Sequence, residues 1–569
     1  MRLSTTPAAG PSWRGAATWP MVSCLMVLGL LAVWVGTSAT GGLMEQLKVL
    51  QFWSLEAGLA AVIVSGVLLV RELRSDLVRA DLIALVAVAA LSLVVSLGVA
   101  PRTNRIFYDE QIYQSIGQNM ADLRLAQVCN DGSVEYGRLR CDAGQYNKQP
   151  YAYPHLLSVA YRLVGLRPIV AFALNALASA LTTAAVYLLT LQLFASRDAA
   201  LCAAVLFALL PEQAMWAATA AVEPTASMAS VLALLAAARH RLSGSAASLA
   251  ACVFLFVWAV QFRPESLLIA PVALAILWAR LPDDIGRQGT WWIALLGIVL
   301  ASTHVAHLAA VRNIPWGSAG ARFALAFLPG NLAVNGWFYI WDERFPTLVT
   351  LLAIAALAMA WRDHVRWSVA LWFAIYFGID LVFYAGSYNY GADVRYALMT
   401  FPPIAVLAGL GAAAAISAAA RMMPAVPVRT AAGVLVLFQF LWYAPVVRAT
   451  TEEGWAARAD VRFAESVARE LPHGSYVLTH NPGMFHVWGI NAGQMSRVVG
   501  NERFLQYLAG RYPGGVYLHW NFWCNVDDAV QPEFCRKALA MVPTTLAHEH
   551  RERDQRFAFY RLNVSGSTP

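Results

Sequence analysis

LIALVAVAALSLVVSLGVA, residues 82–100, runs directly into PRTNRIFYDEQIY, residues 101–113. The first stretch carries no charge and, as a helix, is long enough to cross about 30 Å of hydrocarbon. The second turns polar and aromatic and contains two adjacent carboxylates, Asp109 and Glu110. Acids at a membrane boundary are costly unless something pairs with them or uses them. The junction therefore marks a membrane protein and places its chemistry beside Asp109 and Glu110.

Apolar stretches of the same kind recur along most of the chain. Of its 569 residues, 59% are hydrophobic and 13% charged, whereas a soluble domain carries about a quarter charged. The expected architecture is an all-α polytopic membrane bundle of about 13 transmembrane helices. The spans are expected near 20–38, 52–71, 81–100, 168–194, 199–216, 223–238, 246–262, 265–280, 290–311, 345–361, 367–386, 396–418 and 430–446. The short span after Arg263-Pro264-Glu265 is expected to form a tight re-entrant pair with the one before it. A closed β-barrel would alternate apolar and polar residues, and that pattern is absent. Met21 to Val35 is read as a retained first helix, since no clear small-residue cleavage site follows it. The net charge of +7 is spread without a basic block of five or more, which argues against a nucleic-acid partner.

Arginines set the orientation, because basic residues collect in short cytoplasmic loops. With the N-terminus inside, the inner loops hold Arg71, Arg74 and Arg79; Arg197; Arg239 and Arg241; Arg280 and Arg287; Arg362 and Arg366; and Arg421 and Arg429. The long segments 101–155 and 312–344 and the tail then lie outside. The cysteines agree. Cys129 and Cys141 fall in the first outer segment and Cys524 and Cys535 in the tail, whereas Cys24, Cys202 and Cys252 lie singly in apolar spans. Two close outer pairs predict two disulfides in an oxidising compartment. No CxxC or histidine cluster favours metal at either pair.

The chain is expected to divide into a membrane domain, 1–446, and a small extracytoplasmic α/β domain, 447–569. Charge in the tail is ordinary and helix alternates with strand. An amphipathic helix is expected at 457–470, a strand at 475–479, a loop at Asn481-Pro482-Gly483, a helix at 502–509, and strands near 515–519 and 557–562.

Several constellations carry candidate chemistry, and each has a plainer reading. Asp109 can be a partly desolvated carboxylate that accepts a proton, or the N-cap of a helix beginning there. Tyr113 falls on a neighbouring face of that helix. Lys148, in an aromatic and proline-rich approach to the next segment, can contact a phosphate or simply snorkel. Glu223, before Pro224, is either a first-turn residue or a second acid facing Asp109 across an outward cavity. Arg263 stands at another outer end and is a further candidate ligand for a donor phosphate. Arg395, next to Tyr396, reads as a phosphate ligand or as a partner of Asp393 or Asp380. Asp380, inside a span, needs a partner within the bundle. His304 and His307 are either relays or a core pair. Under the orientation above, Asp109, Lys148, Glu223, Arg263 and Arg395 all map to the same side of the membrane.

These residues resemble a known family. Asp109-Glu110-x-x-Tyr113 with Met120 farther on, then Lys148-x-Pro150, is similar to the first outer loop of membrane glycosyltransferases of the GT-C fold. The nearest groups are the protein O-mannosyltransferase-like enzymes and the bacterial lipid A aminoarabinose transferases. Gly386-Ser387-Tyr388, Arg395-Tyr396 and Pro402-Pro403 resemble their late-span pattern. The resemblance covers about 85–400 by order of elements. It implies a polyprenyl-phosphate sugar donor, a lipid, glycan or protein acceptor, and a site on the periplasmic face of a bacterial inner membrane. Asp109 becomes the catalytic base, Glu110 its neighbour in the acidic motif, Glu223 the second acid where an Asp is usual in several branches, and Lys148 the donor-phosphate ligand, with Arg395 also facing that phosphate. The Cys129/Cys141 insertion departs from the family loop and leaves acceptor specificity open.

The chemistry is coherent without the family. A leaving lipid phosphate needs cations, and an attacking hydroxyl or amine needs a base. Single displacement would invert the anomeric centre. The sequence names no cofactor: the acid pair could hold a divalent cation, and a nearby Lys can do the same electrostatic work. The rival reading is a transporter or flippase of a lipid-linked saccharide, which favours midplane charges and internal repeats. A third is a non-enzymatic assembly component whose tail binds a partner.

Overall fold

The computed structural model describes residues 18–106, 108–314, 320–389, 394–423, 425–450, 452, 455–527 and 530–564. Every expected membrane segment is helical, and the chain is a multi-pass membrane protein with a small sheet domain towards its C-terminus. Among the described residues eight helices are long and apolar enough to cross a membrane, or nine if a bent pair counts as one span. That pair, Arg197–Ala208 and Pro211–Ala217, bends by 63° where Pro211 cannot continue the preceding hydrogen-bond ladder. Ala246–Phe262, Pro264–Leu277 and Thr347–Met359 are shorter apolar helices. The other four expected segments, 223–238, 246–262, 265–280 and 345–361, are helical as well but shorter or less apolar than these.

Small residues draw the bundle together. Glu223–Ser243 is buried along most of its length, with Ala226, Ala229, Ala233 and Ala237 among its buried positions. Such residues let helix backbones approach closely. Gly409, in Phe401–Met422, lies so near Arg197–Ala208 that an added Cβ would sit 2.6 Å from the Ala203 nitrogen.

The sheet has seven strands. These are β1 (Val128–Glu135), β2 (Arg138–Gln145), β3 (Tyr476–Thr479), β4 (Asn491–Gln494), β5 (Val516–Trp520), β6 (Thr544–Glu552) and β7 (Gln555–Leu562). Their order is β2-β1-β4-β3-β5-β7-β6, with β4, β3 and β5 parallel and the remaining pairs antiparallel. Period-two alternation places Val477, Tyr517 and Phe559 against Ala464 and Val467 of helix Trp455–Glu470. Tyr476, Leu478 and Leu518 point the other way, onto Leu505 and Leu508 of helix Glu502–Arg511. Each strand thus feeds two cores.

The sheet draws strands from both sides of the boundary expected at 446/447. β1 and β2 come from the segment 101–155, far ahead of β4 in the chain, and β1 pairs with β4 through Asp131↔Gly493 and Gly132↔Ala492. This hairpin escapes a sequence reading because Asn130, Asp131 and Gly132 are poor strand formers. Its turn, Tyr136 and Gly137, has φ of 53° and 74°, the mirror-image conformation that suits a tight hairpin. Also unforeseen are β4, β6, helices Ala152–Val164, Leu328–Ile340 and Gln531–Ala540, and a helix, Pro482–Val487, where a loop is expected. Both expected disulfides form, Cys129–Cys141 within the hairpin and Cys524–Cys535 in the tail.

Helix Asp109–Leu123 joins the sheet domain to the bundle. A Cβ on Gly483 would fall 2.4 Å from Ser115 Cβ, and one on Gly117 would fall 3.0 Å from Leu157 Cβ. The Gln118 amide donates to the His486 carbonyl at 3.2 Å. The helix is therefore clamped between the tail and helix Ala152–Val164.

Candidate active site

Helix Asp109–Leu123 starts abruptly. Tyr108 occupies the N-cap position with φ 61°, and no side chain caps the helix. The capping reading of Asp109 is thus corrected: Asp109 is the first helical residue. Its carboxylate is left to face other elements. It lies 3.6 Å from Arg395 Nη1 and accepts from Gln149 Nε2 at 3.5 Å. Tyr113, one turn on, donates its hydroxyl to Gln149 Oε1 at 3.4 Å. Gln149 is presented by a locked turn, in which its own N–H donates to Asn147 Oδ1 and the Asn147 N–H donates to the Tyr151 hydroxyl, each at 2.8 Å.

Glu223 opens the buried helix Glu223–Ser243, with Pro224 at the first turn. Its carboxylate is held by Arg263 in a hydrogen-bonded ion pair and lies 3.9 Å from Arg395 Nε. Arg395 is therefore shared between Asp109 and Glu223. Asp380 accepts instead from the Tyr388 hydroxyl at 3.4 Å, which supplies the partner within the bundle that a span acid needs, and Asp393 lies outside the described residues. Arg263 also meets Glu265 at 3.1 Å. The guanidinium carbons of Arg263 and Arg395 lie 5.1 and 5.2 Å from the centre of the Tyr396 ring, within cation–π range. Asp380 shares a small cavity with Arg263, Glu265 and Tyr396.

Burial pushes the Asp109 carboxyl above its ordinary range; Arg395 pulls the other way, and Glu223 adds to the rise. Glu110 is fully buried and takes the Arg105 backbone N–H at 3.2 Å; burial raises it well above an ordinary glutamate. Burial lowers Lys148, and the nearby Asp109 charge opposes that shift. Lys148 lines a cavity of about 270 Å³ with Tyr108, His480 and Asn481. All five residues placed on one side by topology, namely Asp109, Lys148, Glu223, Arg263 and Arg395, thus gather in one neighbourhood.

His304 and His307 are a buried stacked pair, centroids 5.7 Å apart, and His307 Nδ1 meets the Tyr146 hydroxyl at 2.8 Å. This is the core reading of the two histidines. For a divalent cation the fit is poor: among the described residues the only cluster with metal-ligand spacing is His480, Cys524 and Cys535, whose cysteines are joined as a disulfide. The common neighbour of Asp109 and Glu223 is the Arg395 guanidinium.

No family model matches the sequence, and no curated protein is significantly similar to it. Solved structures do match. ArnT from Cupriavidus metallidurans, bound to undecaprenyl phosphate, superposes with a TM-score of 0.53 at 15% identity over 87% of this chain and 100% of that one. Its apo form gives 0.54 at 15% identity over 86% and 99%. The archaeal oligosaccharyltransferase AglB from Archaeoglobus fulgidus, in complex with an inhibitory peptide and a dolichol-phosphate, gives 0.50 at 13% identity over 78% and 69%. These are GT-C fold membrane glycosyltransferases. The chain has the GT-C fold. At this identity the likeness is one of architecture, so residue roles rest on the local geometry.

Within this GT-C architecture, three features escaped the sequence reading as site residues. Glu265 was visible beside Arg263, and Gln149 beside Lys148, but nothing local shows that one braces Arg263 and the other bridges Tyr113 to Asp109. The third is a link through Tyr108, whose hydroxyl donates to Asp460 Oδ2 at 2.5 Å. Asp460 also lies 3.0 Å from His519 Nε2. On an amphipathic helix Asp460 reads as one more solvent-facing charge, yet it is fully buried.

Proposed function

We propose that the protein is an integral-membrane glycosyltransferase that moves a sugar from a polyprenyl-phosphate donor to a lipid, glycan or protein acceptor, by an inverting single displacement. The observation that carries this reading is the gathering of Asp109, Lys148, Glu223, Arg263 and Arg395, drawn from five separate stretches, around one cationic and acidic neighbourhood. The GT-C fold supports it, as do the polyprenyl phosphate bound by ArnT and the dolichol-phosphate bound by AglB.

In this mechanism the acceptor hydroxyl or amine attacks the anomeric carbon while its proton passes to the Asp109 carboxylate. The bond from that carbon to the phosphate oxygen breaks, and its electron pair leaves with the lipid phosphate. Lys148 and Arg395 meet the developing charge. A carboxylate raised by burial is a better base near neutral pH than an ordinary aspartate. Glu223 and Arg263 hold Arg395 and Tyr396 in place. The site and the tail domain face the extracytoplasmic, periplasmic side of a bacterial inner membrane.

The test is a transfer assay with purified protein, a panel of polyprenyl-phosphate sugars, and EDTA in a parallel arm. Asp109→Asn is expected to abolish transfer while expression and donor binding survive. Near-normal turnover in that variant would overturn the assignment of the base.

A further inference from the structure

Two cavities adjoin where the tail domain meets the first outer segment. The first, about 270 Å³, holds Lys148, Tyr108, Asn130 and Asn481. The second, about 350 Å³, holds Ser496, Trp523, Gln531 and Phe534. Tyr108, His480 and Gln494 line both, so the two form one cleft running from the candidate donor-phosphate ligand out over the tail.

The walls of this cleft have a consistent chemistry. Trp523 and Tyr108 present aromatic faces, their ring centres 6.0 Å apart and tilted by 55°. Asn130, Asn481 and Gln494 offer planar amides, and Ser496 a hydroxyl. Asn481 is only 5% exposed, yet its amide nitrogen has no hydrogen-bond partner among the described residues. An unmet buried donor costs about 1–3 kcal/mol, so its position on the wall points to a ligand acceptor atom. Flat aromatic faces with convergent amides and hydroxyls suit a ring whose faces are apolar and whose rim is hydroxylated. A peptide or an acyl chain would be met by a longer apolar trough.

The tail disulfide braces the same cleft. Trp523 immediately precedes Cys524, and Phe534 immediately precedes Cys535. The bond between the cysteines ties the turn Phe522–Cys524 to helix Gln531–Ala540, so Trp523 and Phe534 are fixed to one covalent link. His480 sits beside that link and bonds Asn521, Nδ1 to Oδ1, at 3.2 Å.

We propose that this cleft is a saccharide subsite, with Trp523, Gln494 and Asn481 recognising the sugar of the acceptor, and that the acceptor is therefore a glycan. This assignment rests on the transferase reading, but it can fail separately. The probe is a set of methyl glycosides and short oligosaccharides, tested on the full-length purified protein by saturation-transfer NMR without any donor. Wild type and Asp109→Asn are expected to bind the same subset. Trp523→Ala, and separately Gln494→Leu, should weaken that binding about tenfold or more while eluting as wild type. The second variant keeps the test alive if the first does not fold. The subsite is overturned if no glycoside binds wild type, or if neither well-folded variant changes the affinity. Asp109-dependent transfer to a sugar-free acceptor, with no glycan bound, would remove the subsite and leave the transferase. Glycan binding lost in Trp523→Ala, with no transfer from any donor, would uphold the subsite and remove the transferase.

Discussion

Asp109 Oδ2 and Arg395 Nη1 stand 3.6 Å apart, although one opens the helix Asp109–Leu123 and the other opens the turn Arg395–Thr400 ahead of a late membrane helix. The same guanidinium reaches Glu223 on its Nε side. One cation thus lies between two acids.

In Arg395→Ala, transfer should fall by about 100-fold or more, the order seen when a preorganised charge-stabilising group is lost. Arg395 lowers the Asp109 carboxyl against the rise caused by burial. Without it that carboxyl rises further, so the protonated, inactive form persists to higher pH. The acid limb of the pH–rate profile should therefore move to higher pH. A profile that only drops in height, with its acid limb unmoved, would dissociate Arg395 from Asp109.

Lys148→Ala should lower kcat/KM by about 100-fold through poorer neutralisation of the leaving phosphate. Burial already lowers the Lys148 ammonium from 10.5, so its charge is lost earlier than usual as pH rises. Lys148→Arg, with a cation that stays protonated, should extend activity further into the alkaline range. Steady-state rates from pH 7 to 10 distinguish this from a passive snorkelling lysine, whose replacement would leave both quantities near wild type.

Glu110→Gln bears on stability. Burial raises the folded-state Glu110 carboxyl well above its ordinary 4.5. A raised folded value means the associated stability is present in full below the unfolded value and is lost as pH rises through the folded one. The glutamine has no charge to bury and keeps an oxygen for the Arg105 N–H. At pH 8 the melting temperature of Glu110→Gln should equal or exceed that of wild type. Acidification from pH 8 to 5 should raise wild type relative to the variant. Parallel melting curves that never converge would contradict the burial cost.

Gly483→Ala should loosen the contact between tail and bundle. Its Cβ would come 2.4 Å from Ser115 Cβ and Oγ, which forces one of the two helices to move, at about 1–3 kcal/mol. A lower melting temperature in detergent, partly restored by Ser115→Gly, is the expected result. Failure of the second change to rescue would place the strain elsewhere.

Much of the molecule is legible along the chain. The membrane helices follow from apolar stretches whose transfer free energies add residue by residue. The two disulfides join cysteines close in sequence. The acids at 109 and 223 and the cations at 148, 263 and 395 stand out because charge at a membrane face is costly. One alternative that the residues leave open, Asp109 as a helix cap, closes only in the structure, because the left-handed Tyr108 that takes that place is invisible in a propensity.

By itself the sequence determined a multi-pass bundle, an α/β tail and a charged face beside Asp109, since hydropathy, charge cost and helix or strand period are local properties. Only the tertiary structure decided that β1 and β2 complete the tail's sheet, that Arg395 serves Asp109 and Glu223 rather than Asp380, and that Tyr108 reaches Asp460. These are pairings between groups hundreds of residues apart. Their energies depend on distance and desolvation, which exist only once the chain has closed around them.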